Sequence, residues 1–74
     1  MTTRYRFIHF EQVGDHWTCR TNRNNDLLGT VEWFVRWREW EYVPQEGTGY
    51  SVGCLRDMAD FLAQLNAQPK GETP

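Results

Sequence analysis

Apolar and polar positions along this chain alternate at two different periods, and the switch between them divides it into a sheet and a helix. Tyr5 to Val13 predicts a first strand, with Tyr5, Phe7 and His9 alternating with Arg6, Ile8 and Phe10. Both faces of that segment hold apolar groups, so the pattern leaves its inward face open. Gly14-Asp15 signals a turn. Trp17 to Thr21 follows as a short second strand with Trp17, Cys19 and Thr21 on one face. The run Asn22 to Asp26 is a polar loop, because Asn and Asp side chains hydrogen-bond nearby backbone and tolerate left-handed conformations.

Leu28 to Phe34 predicts the third strand, with Val31, Trp33 and Val35 on one face and Thr30, Glu32 and Phe34 on the other. Gly29 inside that run points to a bulge or to the close approach of another group such as an aromatic ring. Arg38 to Val43 sets Trp40 and Tyr42 against Glu39 and Glu41. A turn near Arg36-Trp37 would join these two strands and gather Val31, Trp33, Trp40 and Tyr42 into one cross-strand layer. Pro44 has no amide hydrogen for a ladder and should end the strand.

The period changes after the loop at Gln45 to Gly49. Cys54, Leu55, Met58, Ala59, Phe61, Leu62 and Leu65 recur at intervals of three and four, with Arg56, Asp57, Asp60 and Gln64 on the wetter side. Ser51 is the expected N-cap, and Tyr50 before it is placed to pack onto Cys54 or Leu55 as a hydrophobic staple. Asn66 suits the end of a helix of about 15 residues, roughly 22 Å long. The fold class is therefore α+β: a three- to four-stranded antiparallel sheet with one C-terminal helix packed on one face. Residues 1–66 form a single domain, and 67–74, without apolar pattern and with Pro69, Gly71 and Pro74, read as a flexible tail.

Composition sharpens this picture. A chain of 74 residues suits one small domain. Four Trp, four Phe and three Tyr supply the large side chains that so small a core needs. Eight basic against ten acidic residues give a net charge of −2, which argues against a general nucleic-acid binder and against attraction to an anionic membrane. The start of the chain holds no continuous apolar segment, so a cytoplasmic protein without membrane association is the expectation.

The candidates for chemistry are sparse. Cys19 and Cys54 form no CxxC pair and read as reduced and partly buried; a disulfide, a metal site or a reactive thiol are the lesser alternatives. His9 and His16 have no Ser or Cys at a diagnostic spacing, and Glu32, Glu39 and Glu41 fall on the expected wet face of the hairpin. Gly47-Thr48-Gly49 lacks the continuation of a phosphate loop. No catalytic residue, metal ligand or cofactor site is assigned, and the chain is read as no enzyme.

The unusual stretch is Trp33 to Tyr42. With Trp33, Trp40 and Tyr42 in the core, Phe34 and Trp37 are left over, flanked by Arg36 and Arg38. Trp and Arg dominate interface hot spots, so Phe34, Arg36, Trp37 and Arg38 form the candidate interaction surface. The expected function is noncatalytic protein binding through this edge, and homodimerisation would in addition bury an uncovered sheet face that carries Phe34. The alternative is single-stranded nucleic acid stacking on Trp37, which Glu39 and Glu41 disfavour by repelling a phosphate backbone.

Several segments also resemble a family of short bacterial and prophage proteins with a Trp-rich hairpin and a C-terminal helix. They are Trp17-Thr18-Cys19, Leu28-Gly29-Thr30-Val31-Glu32-Trp33, the run Trp37 to Pro44, and Cys54 to Asn66. The family carries no established biochemical activity, so the resemblance transfers no catalytic residue. It implies a phage or prophage origin and a protein that acts by binding a host complex.

Overall fold

A computed structural model describes residues 1–68. Four strands, β1 (Ile8–Val13), β2 (His16–Thr21), β3 (Leu27–Phe34) and β4 (Glu39–Pro44), precede one helix, α1 (Val52–Asn66). The sheet is antiparallel in the order β1-β2-β3-β4, so each strand pairs with its neighbour in sequence. The helix packs on one face of it. This is the α+β architecture expected from the two periods, at its upper strand count.

Register decides which residues share a face. Phe10 opposes Cys19 and Ile8 opposes Thr21, while Trp17 opposes Val31. Val31 in turn opposes Tyr42, and Trp33 opposes Trp40. Directly opposed residues point to the same side, so Ile8, Phe10, Trp17, Cys19, Val31, Trp33, Trp40 and Tyr42 all face the helix. From the helix, Met58, Phe61 and Leu65 reach down into the sheet, and these three together with Ile8, Phe10, Cys19 and Val31 form the buried core. Phe61 is 0% exposed. Its ring stacks on Phe10 at 4.0 Å and meets Trp17 edge-on at 5.0 Å. Trp33, Trp40 and Tyr42 are half-buried and flank this centre, with the two indoles edge-to-face at 5.9 Å.

Gly29 serves both of the roles expected of it. The β2–β3 register slips between Cys19 and Arg20, so Leu28 is the extra residue of a bulge beside it. A Cβ on Gly29 would lie 2.5 Å from the Val43 carbonyl oxygen and 2.6 Å from the Tyr42 hydroxyl. Only hydrogen fits there.

Three expectations need correction. The first strand begins at Ile8, not Tyr5, because the chain reverses at Arg6-Phe7. Arg4 pairs with His9 as an isolated bridge, the Phe10 amide donates to Thr3, and the Tyr5 amide donates to Ile8. Tyr5 and Phe7 therefore do not continue the Ile8–Phe10 alternation, which explains why both faces read as apolar. Val35 is not a core residue; β3 ends at Phe34 and Val35 is 75% exposed in the following loop. Leu55 and Ala59 are exposed rather than inward, while Gln64 is half-buried. Tyr50, expected to pack onto Cys54 or Leu55, reaches the sheet. Its ring meets Tyr42 edge-on at 5.6 Å, and its hydroxyl donates to the Leu28 carbonyl at 2.8 Å.

The helix starts and stops as its sequence suggests. The Ser51 Oγ accepts from the Cys54 amide at 3.2 Å. Ala67 and Gln68 close its last turn through bonds to Ala63 and Leu65. The rest of the expected tail, residues 69–74, lies outside the described residues. Among the described residues no helix is long and apolar enough to cross a membrane.

Candidate interaction surface

The β3–β4 loop, Val35 to Arg38, is closed by its own backbone. The Arg38 amide donates to Phe34 at 2.8 Å and to Val35 at 3.2 Å, and Phe34 then pairs with Glu39 at the end of the ladder. Closure places Arg38 at φ 56°, in the left-handed region where a side chain costs about 1 kcal/mol or more relative to glycine. Arginine in such a position marks stored strain at the tip.

Phe34 closes β3, and Arg36, Trp37 and Arg38 follow it on the loop. Trp37 is 66% exposed, and its ring meets the half-buried Phe34 edge-on at 5.0 Å. Arg36 and Arg38 are both exposed, and among the described residues neither has a carboxylate within ion-pair distance. Val35 completes the tip as an exposed apolar residue. It escaped notice in the sequence because the period-2 pattern of β3 runs on unbroken into the loop.

Alternation puts Glu11, Glu32, Glu39 and Glu41 on the helix-free face, with His9 and His16. Glu32 and Glu41 oppose one another directly, and Glu39 lies opposite Phe34 beside the tip. The β1–β2 turn at Gly14-Asp15 comes to the same end of the sheet as the β3–β4 loop. There Asp15, His16, Glu32 and Trp33 line a solvent-open recess of about 350 Å³. His16 Nδ1 lies 3.6 Å from the Asp15 carboxylate, and the Thr30 hydroxyl donates to Glu32 at 2.7 Å. No local signal marks this recess along the chain, because its residues come together only once the β2–β3 register is set.

The residues considered for nucleophilic chemistry are separated by the sheet. Cys19 faces the helix and is fully buried, whereas His9 and His16 stand on the opposite face. Burial pushes the Cys19 thiol up to about 11, with Tyr42 hydrogen-bonded to it acting the other way and Cys54 adding to the rise. At neutral pH this group is a protonated core side chain. Both cysteines are free thiols. His9 Nδ1 is 2.7 Å from the Asn22 side-chain oxygen, and Asn22 also donates to the carbonyls of Tyr5 and Arg6, which fastens the N-terminal reversal.

The chain matches no family model, no curated protein and no solved structure.

Proposed function

We propose that this domain is a noncatalytic protein-binding module of phage or prophage origin that engages a host complex through the β3–β4 tip. The observation that supports this most is a large indole held in the open on a strained, internally closed loop, between two guanidinium groups that have no ionic partner among the described residues. Exposing Trp37 forgoes the burial of an aromatic side chain, which ordinarily removes about 150–250 Å² from water. A binding partner would recover that burial and pair both arginines.

Single-stranded nucleic acid is the second reading. The exposed indole between Arg36 and Arg38 favours it, since base stacking on aromatics tolerates any sequence. The carboxylates of Glu39, Glu41 and Glu32 on the adjoining face count against it, because they repel a phosphate backbone.

Affinity capture from the bacterium carrying the gene, with and without nuclease, tests the assignment against a Trp37→Ala control. A discrete protein retained after nuclease and lost with the variant is the expected result. Capture identical for wild type and Trp37→Ala overturns it, and recovery abolished by nuclease transfers the assignment to nucleic acid.

A further inference from the structure

The end of the sheet that carries the tip also carries its chemical complement. Arg36 and Arg38 lie on the β3–β4 loop, while Asp15 and Glu32 lie beside them around the recess between the β1–β2 turn and β3. The two signs sit side by side without neutralising each other. Among the described residues the sole contact between oppositely charging side chains is His16 with Asp15. Apolar surface accompanies both halves: Trp37 and Val35 on the loop, and Val13, 49% exposed, directly opposite His16 in the β1–β2 ladder.

A surface divided in this way fits itself. A two-fold rotation about an axis perpendicular to the strands, lying just beyond the turn end and between loop and recess, lays the loop of one copy over the recess of the other and repeats the contact in reverse. The interface is isologous and closes after two copies. We infer that the turn end of this sheet is a homodimer interface, in which each Trp37 enters the partner recess and Arg36 and Arg38 meet its Asp15 and Glu32. This rests on the tip being a contact surface, as proposed above: a second copy occupies it in the free protein and yields it when the host complex binds.

Area sets the strength. Two indoles withdraw about 300–500 Å² between them, and the surfaces that receive them roughly double this, to about 600–1,000 Å². Stable interfaces bury about 1,200–2,000 Å². The dimer is accordingly weak and reversible, and its charged contacts make it sensitive to salt.

Sedimentation equilibrium of the full chain across the micromolar-to-millimolar range tests this directly. Wild type shifts towards dimer with concentration and less so at high salt, and Trp37→Ala weakens association by about tenfold or more. A charge swap supplies the sharper criterion. The pair Arg36→Glu with Arg38→Glu leaves both halves negative, and the pair Asp15→Arg with Glu32→Arg leaves both positive, so each variant alone is monomeric. Mixed together they form a heterodimer in which both contacts are again complementary. Circular dichroism first establishes that each variant is folded, and Trp37→Ala gives an answer that needs neither charge variant. Wild type monomeric throughout, dimerisation indifferent to Trp37→Ala, or folded charge variants that fail to associate when mixed would each overturn the inference. Tip-dependent capture of a host protein by a strictly monomeric chain would remove the second copy while leaving the binding module intact. A dimer that captures no host protein would do the reverse.

Discussion

Replacing Arg38 with glycine should make this protein more stable while removing a side chain from its proposed contact surface. The residue sits at φ 56°, and its amide closes the loop through bonds to Phe34 and Val35. Glycine keeps that amide and relieves a left-handed strain of about 1–2 kcal/mol. Against this stands the greater freedom that glycine gives the unfolded chain, about 0.5–1 kcal/mol. The exposed guanidinium has no ionic partner among the described residues, so its loss subtracts little. The net expectation is a gain of about 0.5–1 kcal/mol, which for a domain of this size raises Tm by a few degrees at about 4–8 °C per kcal/mol. Arg38→Ala is the control: it removes the same guanidinium but keeps a Cβ in the left-handed region. Urea titrations monitored by tryptophan fluorescence would place Arg38→Gly above Arg38→Ala by about 1 kcal/mol. Equal midpoints for the two variants would refute the claim that backbone strain is stored at this residue. Both variants should weaken partner binding equally, since both lack the charge.

Gly29→Ala should destabilise by about 2–4 kcal/mol in the same assay, because its Cβ would strike the Val43 carbonyl and the Tyr42 ring; a Tyr42→Phe background should recover only part of the loss, since the carbonyl stays in place. Phe61→Ala, which empties the stack on Phe10 and Trp17, should cost about 3–5 kcal/mol, much of the total stability of about 4–11 kcal/mol that a chain of this length has. Stability should also fall as pH rises from about 8.5 towards about 11, because the folded state holds the Cys19 proton more tightly than the unfolded chain; Cys19→Ala should flatten the early part of that decline in urea midpoints.

The β3–β4 hairpin was legible because its register follows from period-2 alternation: Val31 with Tyr42 and Trp33 with Trp40 are the pairs that a turn at Arg36-Trp37 requires. The helix was legible from Ser51 to Asn66 because cap chemistry and a 3.6-residue period agree. Gly29 announced a close approach because glycine weakens a strand interior and commonly stands there where a bulge or another group comes close. The N-terminal reversal was hidden for a different cause. The groups that hold it are the Thr3 and Ile8 backbones and Asn22, distant in sequence, and a count of alternating side chains cannot register a chain that turns back between them. The left-handed Arg38 was equally hidden, since arginine carries no preference for that conformation. At the candidate surface the loop residues were visible as a surplus of aromatics over what the core needs. The recess beside them depends on strand pairing alone.

The way the sheet edges are treated bears on how this protein can associate. Along β4, the Trp40 amide donates to the Asn66 side-chain oxygen at 2.7 Å, and Pro44 offers no amide hydrogen. Along β1, Thr3 and Tyr5 bond to Phe10 and Ile8, and the reversed segment is held to the helix by Gln64, which accepts from the Thr2 amide at 2.8 Å and donates to its carbonyl at 2.9 Å. Asn66 and Gln64 thus tie the flank of each edge strand to the helix, from opposite sides of it. Long open edges invite pairing with any strand. With these two edges partly occupied, association has to be carried by side chains. The turn end combines an exposed indole, guanidinium groups without an ionic partner among the described residues, and the carboxylates of Asp15 and Glu32. Asn66→Ala tests this division of labour: losing the Asn66 bond to the Trp40 amide should loosen this edge and promote salt-insensitive aggregation, whereas association through the tip should keep its salt dependence. Aggregation of Asn66→Ala that vanished on adding Trp37→Ala would show instead that edge and tip act as one surface.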